Sequence, residues 1–70
     1  MPNQPAQMPM NYKGRRYGGI YSIAGNLMIA RIPGIDSRSH AVDGAREEDL
    51  ARTLLQAILI DAEKAGRLAD

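Results

Sequence analysis

The feature that most limits the fold is one helix-compatible segment, which takes up almost a third of a 70-residue chain. From residue 45 to about residue 65 no proline or glycine interrupts the sequence, and aliphatic residues recur at the three- and four-residue spacing of a helix. On a wheel of about 100° per residue these side chains cover roughly half of the circumference. One sheet covers a stripe of roughly 100°. The helix therefore needs a large apolar surface to pack on.

Signals at both ends support this helix. We expect Asp43 or Gly44 at its N-cap, and the acidic residues that follow complement the positive end of the helix dipole. Gly66 is a candidate for the left-handed residue after its last turn. The spacing also predicts two (i, i+4) ion pairs, Glu48 with Arg52 and Glu63 with Arg67.

A β-hairpin is predicted before the helix. Residues 20–24 are rich in β-branched and aromatic side chains, Gly25-Asn26 suits a two-residue turn, and residues 27–32 form the return strand. Pro33-Gly34 ends that strand, because proline cannot donate to a ladder. The resulting register pairs Ala24 with Leu27, Ile23 with Met28 and Tyr21 with Ala30.

Neither face of this hairpin is cleanly polar, so both faces need cover. One face carries Tyr17, Tyr21, Ile23, Met28, Ala30 and Ile32, and the other carries Ile20, Ser22, Leu27, Ile29 and Arg31. Residues 37–42 suit either a short third strand, with Arg38 and His40 as outward charges that blunt an edge, or an irregular loop. The expected fold is α+β, a β-hairpin or three-stranded antiparallel sheet packed on one long C-terminal helix.

The first eleven residues contain three prolines and no periodic pattern. We therefore expect a disordered N-terminal tail over residues 1–11 and one small domain over residues 12–70.

A chain of this size buries a shallow core, and small domains usually compensate with disulfides, a metal or oligomerisation. There is no cysteine and only one histidine, His40, so neither a disulfide nor a metal site of nitrogen or sulfur ligands is expected. Oligomerisation remains. We expect a homodimer, with a candidate interface made of Leu55, Leu59, Ile60, Ile20 and Ile29.

The absence of cysteine fits a reducing compartment, and the N-terminus has no basic region followed by an apolar core. The longest apolar run is far shorter than a bilayer span. We therefore expect a cytoplasmic protein without membrane attachment.

No residue cluster carries recognisable catalytic chemistry. His40 lies near Ser37, Ser39 and Asp36, but the sequence has no nucleophile elbow such as Gly-x-Ser-x-Gly. Asp61 falls within the apolar arc of the helix, where a carboxylate needs a partner, and Arg31 is a candidate partner, either within the chain or across a dimer. The sequence predicts neither an enzyme nor a cofactor.

Two functional hypotheses remain. The first is a small interaction or accessory protein that acts through a homodimer and a bound partner. The second is a nucleic-acid-binding module that uses the basic and aromatic segment 12–21, whose cations would contact phosphates while its rings stack on bases. Its candidate contact residues are Lys13, Arg15, Arg16, Tyr17 and Tyr21. The competing interpretation of this segment is that its tyrosines pack into the core.

Overall fold

The computed structural model describes residues 5–68. It contains a four-stranded antiparallel sheet in which the strand order follows the chain order, with one helix packed on one of its faces. The elements are β1 (Ala6–Tyr12), β2 (Arg15–Ala24), β3 (Leu27–Ile32), β4 (Asp36–Ala41) and α1 (Glu47–Lys64). The α+β class with a C-terminal helix is confirmed, and the sheet has one strand more than the larger sheet that we expected.

The additional strand is β1, which lies in the segment that we expected to be disordered. Met8, Met10 and Tyr12 pack against the core, and the residues between them are exposed. This two-residue alternation is typical of a strand with one buried face. Pro9 does not prevent it, because β1 is an edge strand. The expectation of disorder is therefore wrong for residues 6–11, and residues 1–4 lie outside the described part of the chain.

Two tight turns set the register of the first three strands. Lys13 and Gly14 both have positive φ angles, 51° and 80°, as a type I′ turn requires. In the Gly25-Asn26 turn only Gly25 has a positive φ, 62°, which fits a type II′ turn. The predicted cross-strand pairs are confirmed, with Ala24 opposite Leu27, Ile23 opposite Met28 and Tyr21 opposite Ala30.

Of the two alternatives for residues 37–42, a short strand or a loop, the structure shows a strand, β4. β4 pairs with β3 along its whole length, from Ile32 opposite Asp36 to Leu27 opposite Ala41. The role that we expected for Arg38, an outward charge on the edge, is wrong. Its guanidinium turns onto the helix and forms a salt bridge with Asp61.

The helix begins later than its sequence signals indicate. Its N-cap is Arg46, which has extended backbone angles and makes no side-chain cap hydrogen bond. Asp43 instead exchanges hydrogen bonds with Asn26 in the neighbouring turn: the Asn26 amide donates to Asp43 Oδ1 over 3.0 Å, and the Asp43 N–H donates to Asn26 Oδ1 over 3.2 Å. The sequence predicted the cap wrongly because this partner is 17 positions away.

The C-terminus of the helix follows its sequence signal. Gly66 has a φ of 72°. Its N–H donates to Glu63 O over 3.0 Å, and the N–H of Arg67 donates to Ala62 O over 2.8 Å. These two bonds form a Schellman motif, in which glycine is favoured at the left-handed position.

The core lies between α1 and the near face of the sheet. It includes Met28, Ala30 and Ile32 from β3 and Ala51, Leu54, Leu55, Ile58 and Leu59 from α1. The chain's own sheet thus covers the broad apolar arc of the helix. The added strand β1 supplies the cover that the sequence analysis assigned to a second copy.

The ion pairs of the helix differ from the predicted (i, i+4) set. Glu63 binds Lys13 rather than Arg67. Arg67 binds Asp36 over 3.1 Å. The two residues of each salt bridge lie in different parts of the fold, so the spacing of residues along the helix does not predict either bridge.

The salt-bridge partners of Arg52 and Asp61 also differ from the predicted ones. Arg52 lies 3.5 Å from Asp49 rather than beside Glu48. Asp61 binds Arg38 rather than Arg31. Arg31 cannot reach it, because Arg31 pairs with Ile20 and Ser37 on the opposite face of the sheet.

Candidate interaction surface

One face of the sheet has no helix packed on it, and we call it the open face. Strand alternation assigns side chains to it, as the alternating burial of β3 shows: Leu27, Ile29 and Arg31 are exposed, whereas the residues between them are buried. The register then adds residues from the neighbouring strands. These are Gln7, Pro9 and Asn11 of β1, Arg16, Gly18, Ile20, Ser22 and Ala24 of β2, and Ser37, Ser39 and Ala41 of β4.

The middle of the open face is aliphatic. Leu27 is 42% exposed and Ile29 is 40% exposed, and Ile20 lies half-buried on the adjacent strand. Ser22 and Ser39 flank Ile29 on either side, and Ala24 and Ala41 flank Leu27. Small neighbours leave the three larger aliphatic side chains accessible, and Ile20 and Ile29 line a groove together with Pro5.

The charge on the open face has one sign. Arg16 and Arg31 are both exposed, and neither forms a salt bridge within residues 5–68. Among the described strand residues that lie on the open face, none is an aspartate or a glutamate. A surface with accessible aliphatic groups and unpaired guanidinium groups matches a partner that offers apolar groups and carboxylates.

The structure divides the residues of the predicted nucleic-acid contact between the two faces. Tyr17 and Tyr21 pack against the core on the helix side of the sheet, as the competing interpretation has it. Arg15 lies opposite Tyr12 on that same side, whereas Arg16 lies opposite Asn11 on the open face. The five predicted residues therefore do not form one continuous surface.

The predicted dimer interface is also divided. Leu55 and Leu59 are fully buried in the core of a single chain, so they have no surface to offer a second copy. Ile60 is 36% exposed on the helix, whereas Ile20 and Ile29 belong to the open face. Leu27 shares that face and was missing from the predicted set, although its two-residue spacing from Ile29 places it there.

A separate polar cluster joins the β1–β2 hairpin to the end of the helix. The Tyr12 hydroxyl donates to Glu63 Oε1 over 2.8 Å, and Lys13 forms a salt bridge with the same carboxylate. The bonds from Lys13 and Tyr12 lower the pKa of Glu63 below its ordinary value. The bond to Glu63 raises the pKa of Tyr12 and that of Lys13. All three pKa shifts favour the protonation states that make these bonds, with Glu63 ionised and Tyr12 and Lys13 protonated. The cluster therefore acts as a tether between the β1–β2 hairpin and the helix.

The chemistry of the remaining polar groups is limited. Within residues 5–68, no three side chains of histidine, aspartate or glutamate lie close enough together to hold a metal ion. His40 is exposed on the β4 edge, where its Nδ1 bonds Ala41 O over 2.8 Å. No helix in the same part of the chain is long and apolar enough to cross a membrane.

Comparison with models of protein families, with curated proteins and with solved structures finds no significant match to this chain.

Proposed function

We propose that this protein is a small interaction protein that binds another polypeptide through the open face of its sheet. The observation that carries the proposal is the group of accessible aliphatic side chains at the centre of that face, Leu27, Ile29 and Ile20. A contiguous apolar patch on a surface marks an interaction site more often than isolated exposed aliphatic residues do. The core of a typical protein interface has this character.

The charges of the open face indicate the chemistry of the partner. Arg31 lies next to Ile20 across the strands, and Arg16 lies further along β2. A partner segment with an apolar stripe and flanking aspartate or glutamate residues would satisfy both features. Long-range attraction between such carboxylates and the two arginines would also speed association.

The alternative function, nucleic-acid binding through segment 12–21, has less geometric support. The tyrosine rings that would stack on bases pack against the core, and Lys13 is already paired with Glu63. The centre of the open face carries aliphatic rather than aromatic side chains, and stacking on bases requires rings. These contacts favour a polypeptide partner.

Site-specific photocrosslinking in cells tests the proposal. A photoreactive amino acid is placed at Ile29 on the open face or at Ile60 on the helix, two aliphatic positions of similar exposure. We expect a discrete crosslinked polypeptide from position 29 and not from position 60. Mass spectrometry of the adduct identifies the partner, including a second copy of this chain.

A charge change provides the second readout. Arg31→Glu should reduce the yield of the position-29 adduct, because it places a carboxylate where the partner's carboxylates are expected. Identical adducts from positions 29 and 60, or none from position 29, would rule out the open face as the binding surface.

A further inference from the structure

Neither edge of the sheet offers an unbroken row of free backbone groups to a partner strand. At the β4 edge, the Ser37 N–H already donates to Asp36 Oδ1 over 2.8 Å. The Ala41 carbonyl is bonded to His40 Nδ1 over 2.8 Å. At the β1 edge, Pro9 has no N–H to donate. Because such edges resist the addition of a strand, a partner is bound through the side chains of the open face rather than by extending the sheet.

The larger aliphatic and the cationic side chains of the open face form a stripe along its two central strands. They are Ile20 and Arg16 of β2 and Leu27, Ile29 and Arg31 of β3. The outer strands carry glutamine, asparagine, proline, serine and alanine on this face instead. Two strands span about 10 Å, which matches the diameter of a helix, about 10–12 Å. A second sheet would need apolar side chains across the whole face, so the stripe fits one helix.

The backbone of the partner segment also favours a helix. A sheet presents side chains on its face, so a segment that lies there receives no backbone hydrogen bonds from the strands while the contact shields it from water. Buried N–H and C=O groups are almost always paired. In a helix these pairs form within the segment itself, whereas a single extended segment leaves its groups without partners.

We propose that the open face binds an acidic amphipathic α-helix of a different protein, which lies along β2 and β3. This inference rests on the binding function proposed above and specifies its partner. Apolar residues of the helix, three and four positions apart, contact Leu27, Ile29 and Ile20. Acidic residues of the helix contact Arg31 and Arg16, because these two guanidinium groups lie toward the end of the stripe that is opposite Leu27.

A second copy of this chain does not suit the open face. Two open faces packed together would bring Arg16 and Arg31 of both copies into one interface, and the described strand residues of that face include no carboxylate. Such like charges disfavour the contact. The outer surface of α1 fits no better, because within residues 5–68 it exposes a single large aliphatic side chain, Ile60. The homodimer predicted from the sequence would therefore need another surface.

Photocrosslinking from the two ends of the stripe measures the conformation of the partner segment. A photoreactive amino acid is placed in one variant at Ala24, opposite Leu27, and in another at Asn11, opposite Arg16. Both positions are exposed. The part of β2 from Arg16 to Ala24 is roughly 26 Å long. This length corresponds to about 17 residues of a helix but to only about 8 residues of an extended segment.

We expect both variants to crosslink to one segment of the same partner protein, at sites about 17 residues apart. Apolar residues should recur every three or four positions between the sites, with aspartate or glutamate nearer to the site reached from position 11. Sites about 8 residues apart, sites on separate segments, or adducts from position 29 without adducts from both ends would overturn the helix and leave the binding function in place. An adduct with a second copy would overturn the different protein. Absence of an adduct from position 29 would overturn the binding function itself.

Fluorescence anisotropy with the purified partner from the adduct tests the acidic contact. Arg15 and Arg16 are both exposed and form no salt bridge within residues 5–68, but they lie on opposite faces of the sheet. Arg16→Glu should weaken binding at least about fivefold, and lysine in place of the nearest acidic residues of the partner helix should restore it. Arg15→Glu should leave the affinity unchanged. Equal affinities of the two variants would overturn the acidic contact.

Discussion

At Gly19 the sheet and the helix approach each other so closely that a side chain has no room. A Cβ atom built at this position would lie 2.7 Å from Leu55 Cδ1 and 2.8 Å from the carbonyl oxygen of Met8. The leucine side chain can move, but the backbone oxygen belongs to the paired strand β1. Gly19 is thus required by packing rather than by its backbone conformation.

Gly19→Ala should therefore lower the free energy of unfolding by about 1–3 kcal/mol, the usual cost of overpacking a core. The neighbouring Gly18 is the matched control, because a Cβ there meets nothing within 4 Å. Gly18→Ala should be neutral or stabilise by up to about 1 kcal/mol, since alanine lowers the entropy of the unfolded chain. Urea denaturation of both variants measures the difference, and equal stabilities would contradict the close approach.

At the scale of elements, ion pairs at one end of α1 connect it to both edge strands. Glu63 holds the β1–β2 hairpin through Tyr12 and Lys13. Arg67, just beyond the helix, binds Asp36 of β4. The hydrogen bond from the Ser37 N–H and the bond from Arg67 lower the pKa of Asp36. These contacts fix the orientation of the helix across the sheet.

The lowered pKa of Glu63 gives the fold a pH dependence. A carboxyl group with a lower pKa in the folded state stabilises the fold above its unfolded pKa, ordinarily 4.5, and loses this contribution as the pH falls through the folded value. Tyr12 and Lys13, whose folded pKa values are raised, lose theirs as the pH rises. Glu63→Gln should reduce stability at neutral pH and flatten the acid side of the stability profile.

Thermal unfolding between neutral pH and pH 3 measures this effect of Glu63→Gln. Glu48→Gln is the control, because Glu48 is an exposed carboxylate on the same helix with no salt bridge to the hairpin. A Glu63→Gln profile parallel to that of Glu48→Gln at acid pH would show that the tether contributes nothing.

At the scale of the whole molecule, burial distinguishes the apolar residues that stabilise the fold from those that are exposed to a partner. Leu55 is completely buried within one chain, whereas Ile60 is 36% exposed on the same helix. Leu55→Ala should cost about 2–5 kcal/mol of stability, and Ile60→Ala about 0.5 kcal/mol or less.

Because Leu55 contacts only its own chain, the loss in Leu55→Ala should not depend on protein concentration. Denaturation at two widely separated concentrations checks this. A loss that disappears at high concentration would mean that Leu55 lies between copies, as the sequence first suggested.

The amino-acid sequence by itself determined the elements whose signals are local. The uninterrupted apolar periodicity of residues 45–65 and Gly66 predicted α1 and its C-terminus, and Gly25-Asn26 predicted the β2–β3 turn and its register. These features depend on spacing and backbone conformation within a few residues. The same register places Ile20 and Ile29 on one face of the sheet.

Only the tertiary structure decided which apolar surfaces are covered. The three prolines of segment 1–11 conceal the alternation of Met8, Met10 and Tyr12, and a predicted sheet without β1 is too small to cover the apolar arc of the helix. Partners distant in sequence, such as Asn26 for Asp43 and Arg38 for Asp61, were chosen by the three-dimensional arrangement. Burial depends on the whole packed assembly, so local periodicity shows that a surface is apolar but not what lies against it.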